Sequence, residues 1–181
     1  MQLPHSVPIG RCTFQVVALV AVVVIAACGR AAAPASEAAP GEWREFTGNW
    51  IATGTRSTIP LGTDRRGSIA YLEGTMLLAG ANRPARGFRG EAIVFNDTGA
   101  GAEGRGVWTD SDGSQIFSEF HGTGVARGKK IEGTFIGGTG RFAGATGSFG
   151  FTWQFVIDTE DGGISGQTSD LSGRIRAGRN P

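Results

Sequence analysis

The chain has 181 residues, with 17 basic and 16 acidic side chains and a formal net charge of +1 at neutral pH. Because nucleic-acid-binding proteins need a strong basic excess, this balance argues against a nucleic-acid partner. Two cysteines and two histidines offer few ligands for a metal, so neither a metal site nor a cofactor is expected.

The first 27 residues have the features of a secretory signal. Arg11 supplies a positive charge, and the apolar run from Phe14 to Ala27 is rich in Val and Ala. A helix that spans a bilayer needs about 20 apolar residues, and this run is shorter. The pattern therefore favours a cleaved segment over a permanent membrane helix.

Residues 25–28, with the sequence Ile-Ala-Ala-Cys, resemble the lipobox of bacterial lipoproteins. The resemblance implies that cleavage leaves Cys28 as the first residue and that its thiol carries a diacylglyceryl group. Two or three acyl chains hold a protein firmly to a membrane, because each buried methylene contributes about 0.8 kcal/mol. In bacterial lipoproteins, an Asp directly after the cysteine signals retention at the inner membrane. Here that position is held by Gly29, so the resemblance points to the outer membrane, with the domain facing the periplasm or the cell surface. The alternative is an ordinary signal peptide in which Cys28 is incidental.

The stretch 28–42 predicts a flexible tether. It is rich in Ala and Pro and has no large apolar side chain, so it cannot bury enough surface to fold. Cys12 lies inside the signal, and the mature chain therefore keeps Cys28 alone and forms no internal disulfide. Packing and strand pairing must hold together the single domain that follows, 43–181.

Apolar residues beyond the tether recur with a period of two, which is typical of β-strands. The clearest case is the run in which Phe149, Phe151, Trp153, Phe155 and Ile157 alternate with mostly small or polar residues. Segments with a weaker alternation bring the total to about eight strands: 50–55, 68–78, 88–96, 106–110, 115–125, 130–136 and 164–176.

Turn signals separate these segments. Asp112-Gly113 and Asp161-Gly162 favour tight hairpins, because glycine accepts the positive φ that such turns require. No window shows an amphipathic stripe of helix length, so the predicted class is all-β. We predict an eight-stranded antiparallel β-barrel in preference to a two-sheet sandwich, because closure removes exposed edges. Kinks and close backbone approaches are expected at glycines within the strands: Gly74, Gly90, Gly122, Gly124, Gly133 and Gly150.

Residues 137–147 form a glycine-rich motif that resembles the GGTG-x-F-x-x-A-x-G signature of dirigent proteins and the related allene oxide cyclases. The match includes Gly137 to Gly140, Phe142, Ala145 and Gly147. It implies a calycin-like eight-stranded barrel. It assigns no catalytic residue, because the acidic and basic residues that those families use have no counterpart at matching positions. The glycines also approximate a dinucleotide-binding turn, but a predicted strand follows instead of the required helix.

The aromatic stripe Phe149, Phe151, Trp153 and Phe155 has the largest apolar area and supplies the candidate ligand-binding residues. Burial of each ring contributes about 2 to 3 kcal/mol, so a packed core explains the stripe. A barrel wide enough to leave a cavity would line that cavity with the same side chains. The sequence leaves both interpretations open.

Several polar residues are weaker candidates. His121 lies two residues from Glu119 on one strand face, which suits an acid-base pair or a solvated surface. Asp110 and Asp112-Gly113 resemble part of a calcium loop, although a turn explains them. The pair Arg65-Arg66 suits an anionic partner or a solvated loop.

These observations predict a membrane-anchored envelope lipoprotein whose β-barrel binds a small apolar ligand or an envelope partner without catalysing a reaction. Two alternatives remain: an isomerase or cyclase resembling allene oxide cyclase, and a purely structural envelope lipoprotein.

Overall fold

Eight strands make up most of the structure, a computed structural model that describes residues 41–125 and 128–177. The strands are β1 (Arg44–Pro60), β2 (Arg66–Ala79), β3 (Gly87–Asp97), β4 (Gly101–Thr109), β5 (Gln115–Gly122), β6 (Lys130–Gly138), β7 (Thr146–Asp158) and β8 (Gly163–Arg176). A 3-10 helix, Gly140–Phe142, lies between β6 and β7. The predicted signal, Cys28 and the tether up to residue 40 lie outside the described residues. Within those residues, no helix has the length and apolar character needed to cross a membrane.

The sheet closes on itself. Each strand pairs antiparallel with the next strand in the sequence, and β8 pairs with β1, from Arg44 opposite Ile175 to Thr55 opposite Gly163. Closure leaves no edge strand with a row of unpaired N–H and C=O groups. The predicted eight-stranded antiparallel barrel is confirmed, and the two-sheet alternative is wrong.

Both predicted hairpin turns are present. Gly113 has a φ of 84° between β4 and β5, and Gly162 has a φ of 89° between β7 and β8. The N–H of Gly113 donates to the carbonyl of Asp110 at 3.0 Å, and that of Gly162 donates to the carbonyl of Thr159 at 3.1 Å. These tight turns let consecutive strands pair antiparallel.

The first strand is longer than the alternation predicts. The segment 50–55 is only the middle of a strand of 17 residues. Inward-facing positions on either side of it are held by Gly48 and Arg56, which carry no apolar signal. Periodicity in the sequence therefore underestimates a strand whose inward positions include glycine or a charged residue.

Strand glycines make room for aromatic rings inside the barrel. A Cβ atom added to Gly133 would lie 2.2 Å from Cζ of Phe149, and one added to Gly104 would lie 2.4 Å from Cζ of Phe120. Each ring thus lies against the bare backbone of the neighbouring strand, which lets bulky side chains share a narrow lumen. The predicted close approach at Gly133 is confirmed, but the approaching group is a side chain instead of backbone.

A bulge in β8 lies next to Trp50. Asp170 has a φ of 57°, in the left-handed region, and the pairing of β8 with β1 shifts register between Gly48 and Ile51. There the N–H of Trp50 donates to the buried hydroxyl of Thr168 at 2.8 Å. This hydrogen bond fixes the backbone from which the indole ring of Trp50 projects into the lumen.

The two ends of the barrel differ. At one, Phe142 of the 3-10 helix and Ala85 of the β2–β3 loop are buried and close the lumen, so we call it the plugged end. At the other, where β1 ends and β2 begins, the inward-facing Ser68 and Phe155 are only half-buried. We call this the mouth end, because solvent reaches the lumen-lining side chains there.

Candidate functional site

Two adjoining cavities occupy the lumen and share the side chains of Trp50, Phe120 and Phe151. The mouth cavity lies toward the mouth end, and its apolar lining includes Leu72, Val94, Ile131, Trp153 and Ile164. The inner cavity lies toward the plugged end, and its lining includes Met76, Ala92, Trp108, Phe149 and Leu171. Nearly all of the surface inside both cavities is therefore apolar.

Aromatic side chains fill most of this space. The mouth cavity measures about 480 Å³ and the inner cavity about 350 Å³ when the space at their openings is included. The space that a solvent molecule can occupy is much smaller, about 30 Å³ in the mouth cavity and about 20 Å³ in the inner cavity. A ligand larger than this enters only when side chains at the mouth end move.

The four residues of the aromatic stripe all face inward, but they occupy different depths. Phe149 lines the inner cavity and stacks on Phe135 with their ring centroids 5.0 Å apart. Phe151 borders both cavities, and Trp153 and Phe155 line the mouth cavity. The structure thus places Phe149 in the packed core and brings the other three together at the mouth end.

Two indole groups in the lumen lack hydrogen-bond partners. Nε1 of Trp50 and Nε1 of Trp153 donate to no acceptor among the described residues. Solvent cannot replace such an acceptor, because the two residues are only 6% and 3% exposed. The two ring centroids are 5.5 Å apart. Buried N–H groups without a partner are rare in folded proteins, so these two donors are the lumen groups best suited to bind an acceptor.

The sequence did not identify Trp50 as a site residue. It begins the predicted segment 50–55, but its alternation with Ala52 shows only that both side chains share one face. The contact between Trp50 and Trp153 joins strands that are far apart in the sequence, and only the closure of the barrel brings them together.

Polar groups surround the opening of the mouth cavity. Arg56, Ser68 and Asn96 all contribute to its lining. Oδ1 of Asn96 accepts a hydrogen bond from the N–H of Val125 at 3.3 Å, and Val125 also lines the cavity. Arg56 forms an ion pair with Asp158 at the end of β7. The cavity therefore combines an apolar interior with a polar rim.

Two weaker candidates have structural roles on the surface. Glu119 forms an ion pair with Arg105 on the neighbouring strand at 3.3 Å, on the outer face, where His121 is also exposed. The carboxylate of Glu119 thus pairs with Arg105 on the solvated outer face instead of forming an acid-base pair with His121. Oδ1 of Asp112 accepts a hydrogen bond from the N–H of Ser114 at 2.8 Å. This contact within the turn supports a turn at Asp112-Gly113 instead of a calcium loop.

The other acidic residue of that segment, Asp110, is buried and forms an ion pair with Arg141 of the 3-10 helix. This contact holds the glycine-rich segment against the β4–β5 turn. Among the described residues, no group of three His, Cys, Asp or Glu side chains is arranged to hold a metal ion.

Arg65 is engaged within the protein. Its guanidinium donates to both carboxylate oxygens of Asp97, at 2.8 and 2.5 Å. Together with the backbone N–H of Gly99, Arg65 lowers the pKa of Asp97 to about 2. The side chain of Arg65 therefore ties the β1–β2 loop to the end of β3. Arg66 is exposed and forms no ion pair with another residue that the structure describes.

The chain is similar in structure to two pterocarpan synthase dirigent proteins. PsPTS1 is 16% identical, with a TM-score of 0.48, and the alignment covers 79% of this chain and 100% of that one. GePTS1 is 14% identical, with a TM-score of 0.46, and covers 76% and 94% of the two chains. At these values neither structure assigns a function or a site residue to this chain. No family model and no curated protein sequence matches it.

Proposed function

We propose that the domain is a non-enzymatic binding barrel for a small apolar ligand with a hydrogen-bond acceptor, held at the cell envelope by lipid on Cys28. The observation that carries the proposal is the pair of unpartnered indole N–H groups, Trp50 Nε1 and Trp153 Nε1, beside an apolar cavity. A buried donor without a partner costs about 1 to 3 kcal/mol. A ligand that brings an oxygen to one of these groups removes that cost.

The chemistry of the lining supports binding over catalysis. The described residues around the two cavities include neither histidine nor cysteine. Glu91, which borders the inner cavity, accepts a hydrogen bond from Tyr71 on the outer face at 2.9 Å. Proton transfer needs a titratable group within hydrogen-bonding distance of the substrate. Apart from the guanidinium of Arg56, which is paired with Asp158, the described lining presents hydroxyl, amide and indole groups instead.

Side-chain mobility at the mouth end sets the size of the ligand. Phe155 and Val125 are half-buried, so they have fewer packing contacts to lose than the fully buried Trp153. A single aromatic or alicyclic ring is the scale of group that their displacement would admit.

Acetophenone, a neutral ring with one carbonyl acceptor, tests this proposal. We expect it to shift the indole N–H resonances of Trp50 or Trp153 in NMR spectra of the purified protein in lipid nanodiscs, and to leave that of the exposed Trp43 unchanged. Ala70→Phe fills the mouth cavity and is expected to weaken binding by about tenfold or more. The matched control is Ala79→Phe on the exposed face of the same strand, which should bind normally. Equal shifts in the two variants, or none in the unmodified protein, would contradict the proposal.

The membrane anchor has its own test. We expect a palmitate analogue supplied to cells to label the protein and the Cys28→Ser variant to lose the label, because the thiol is the acceptor of the lipid. Cys12→Ser is the matched control and should remain labelled, since that residue lies within the predicted signal. Mass spectrometry of the mature N-terminus should find acylated Cys28 as its first residue. An unmodified N-terminus, or label that persists in Cys28→Ser, would show an ordinary signal peptide.

A further inference from the structure

Arg56 places a positive charge at the opening of the mouth cavity. It lies near the end of β1 at an inward-facing position, opposite Ala70 of β2, and its side chain is 26% exposed. Among the described residues that line the mouth cavity, it is the charged one. Its Cζ atom lies 5.9 Å from the centroid of the Phe155 ring, which belongs to the same cavity.

The guanidinium of Arg56 is already hydrogen-bonded to the carboxylate of Asp158. Nη1 and Nη2 of Arg56 donate to the two oxygens of Asp158 at 3.0 and 2.6 Å. Two parallel bonds of this kind are the geometry in which arginine recognises carboxylates, because the planar fork of N–H groups matches the two oxygens. The β1 backbone is held in place as well, since the N–H of Arg56 donates to the carbonyl of Gly162 at 2.7 Å.

The carboxylate of Asp158 can be displaced by the carboxylate of a ligand. The side chain of Asp158 is 42% exposed, so its carboxylate is already in contact with solvent and can be hydrated when it is released. A carboxylate from solution can take over both hydrogen bonds without leaving Arg56 unpaired, while Asp158 returns to water. The ring attached to such a carboxylate would then lie toward Phe155 and Trp153.

We propose that the mouth cavity selects small aromatic or alicyclic monocarboxylic acids, whose carboxylate binds Arg56 in place of Asp158. This inference rests on the proposed function, because it names the chemical class of the ligand for the same cavity. Arg56 supplies recognition of the charge, and the apolar lining takes the ring. An acceptor elsewhere on the ring, such as a hydroxyl or carbonyl oxygen, is then the group that reaches the indole N–H of Trp50 or Trp153, and benzoate is the minimal probe of the carboxylate alone. Asp158 acts as a competitor that any ligand must displace.

Benzoate and acetophenone form a matched pair of probes. They share one benzene ring and differ only in its substituent, which is a carboxylate in benzoate and a methyl ketone in acetophenone. We expect the unmodified protein in nanodiscs to bind benzoate about tenfold more tightly than acetophenone, as followed by the indole N–H shifts. Arg56→Met should abolish the preference for benzoate. Asp158→Asn should strengthen benzoate binding by about threefold, because the competing charge is gone, and should leave acetophenone binding unchanged.

The two variants break the same ion pair, so their opposite effects on benzoate distinguish recognition from a merely structural contact. If Arg56→Met and Asp158→Asn change benzoate binding in the same direction, or if the two probes bind equally well, the inference is overturned while the binding function stands. If neither probe binds, the proposed function fails and the inference fails with it. Arg105→Met removes an ion pair with Glu119 on the outer face and is expected to change neither affinity.

Discussion

Replacement of Trp108 by alanine is expected to lower the free energy of unfolding by about 3 to 5 kcal/mol. Trp108 is 4% exposed and lies at the centre of the ring cluster behind the plugged end. Its centroid is 5.1 Å from that of Phe135 and 5.3 Å from that of Phe149, and Phe46 and Phe88 each lie at 5.9 Å. The loss of one ring therefore removes contacts to four others and leaves a cavity that the closed barrel cannot collapse to fill.

Chemical denaturation with intrinsic fluorescence or circular dichroism measures this effect. Since single domains have total stabilities of about 5 to 15 kcal/mol, the variant should lose a large part of its stability. Trp43→Ala is the matched control, because Trp43 is 40% exposed and contacts mainly the guanidinium groups of Arg174 and Arg176, each 4.9 Å from its ring. We expect this control to cost at most about 1 kcal/mol. Equal losses in the two variants would show that the ring cluster is not the core of the barrel.

Addition of a single methyl group at Gly133 is the second change with a large expected effect. In Gly133→Ala the new Cβ would lie 2.2 Å from Cζ of Phe149 and 2.6 Å from its Cε1. The ring cannot retreat freely, because it also packs on Phe135 and Trp108. Overpacking of a core in this way typically costs about 1 to 3 kcal/mol, and here the rigid barrel favours the upper part of that range.

The control for this prediction lies on the neighbouring strand. A Cβ atom at Gly150 would meet nothing closer than Cε of Lys130 at 3.4 Å, which is an ordinary contact. Because alanine has less conformational freedom than glycine in the unfolded chain, Gly150→Ala should be neutral or should stabilise the protein by up to about 1 kcal/mol. Thermal unfolding of the two variants then gives shifts of opposite sign or very different size. Similar losses at both positions would contradict the idea that glycines in this barrel make room for rings.

The sequence predicted the strands better than the site. Strand alternation is local, and residues such as Phe151 and Trp153 reveal the inward face of β7 without knowledge of any other strand. The alternation fails where an inward position is held by glycine or arginine, which is why the ends of β1 were not predicted.

The candidate site illustrates the same limit. The aromatic stripe indicated four side chains on one face, and all four do face the lumen, but their depth depends on which strands lie opposite. Phe149 meets the ring cluster near the plugged end, whereas Phe155 reaches the polar rim. The sequence did not identify Trp50 or Arg56, since neither forms part of a motif and their partners lie on other strands.

By itself the sequence determined the number of strands, the inward face of β7 from Phe149 to Phe155 and the positions of two hairpin turns, because these depend on neighbours within a few residues. Only the tertiary structure decided which ring lies on which glycine, that the indoles of Trp50 and Trp153 meet, and that Arg56 pairs with Asp158, which is 102 residues away. The physical reason is that such contacts are set by the register between strands and by the closure of β8 on β1. Register and closure minimise the free energy of the whole barrel, and no short segment of the chain specifies them.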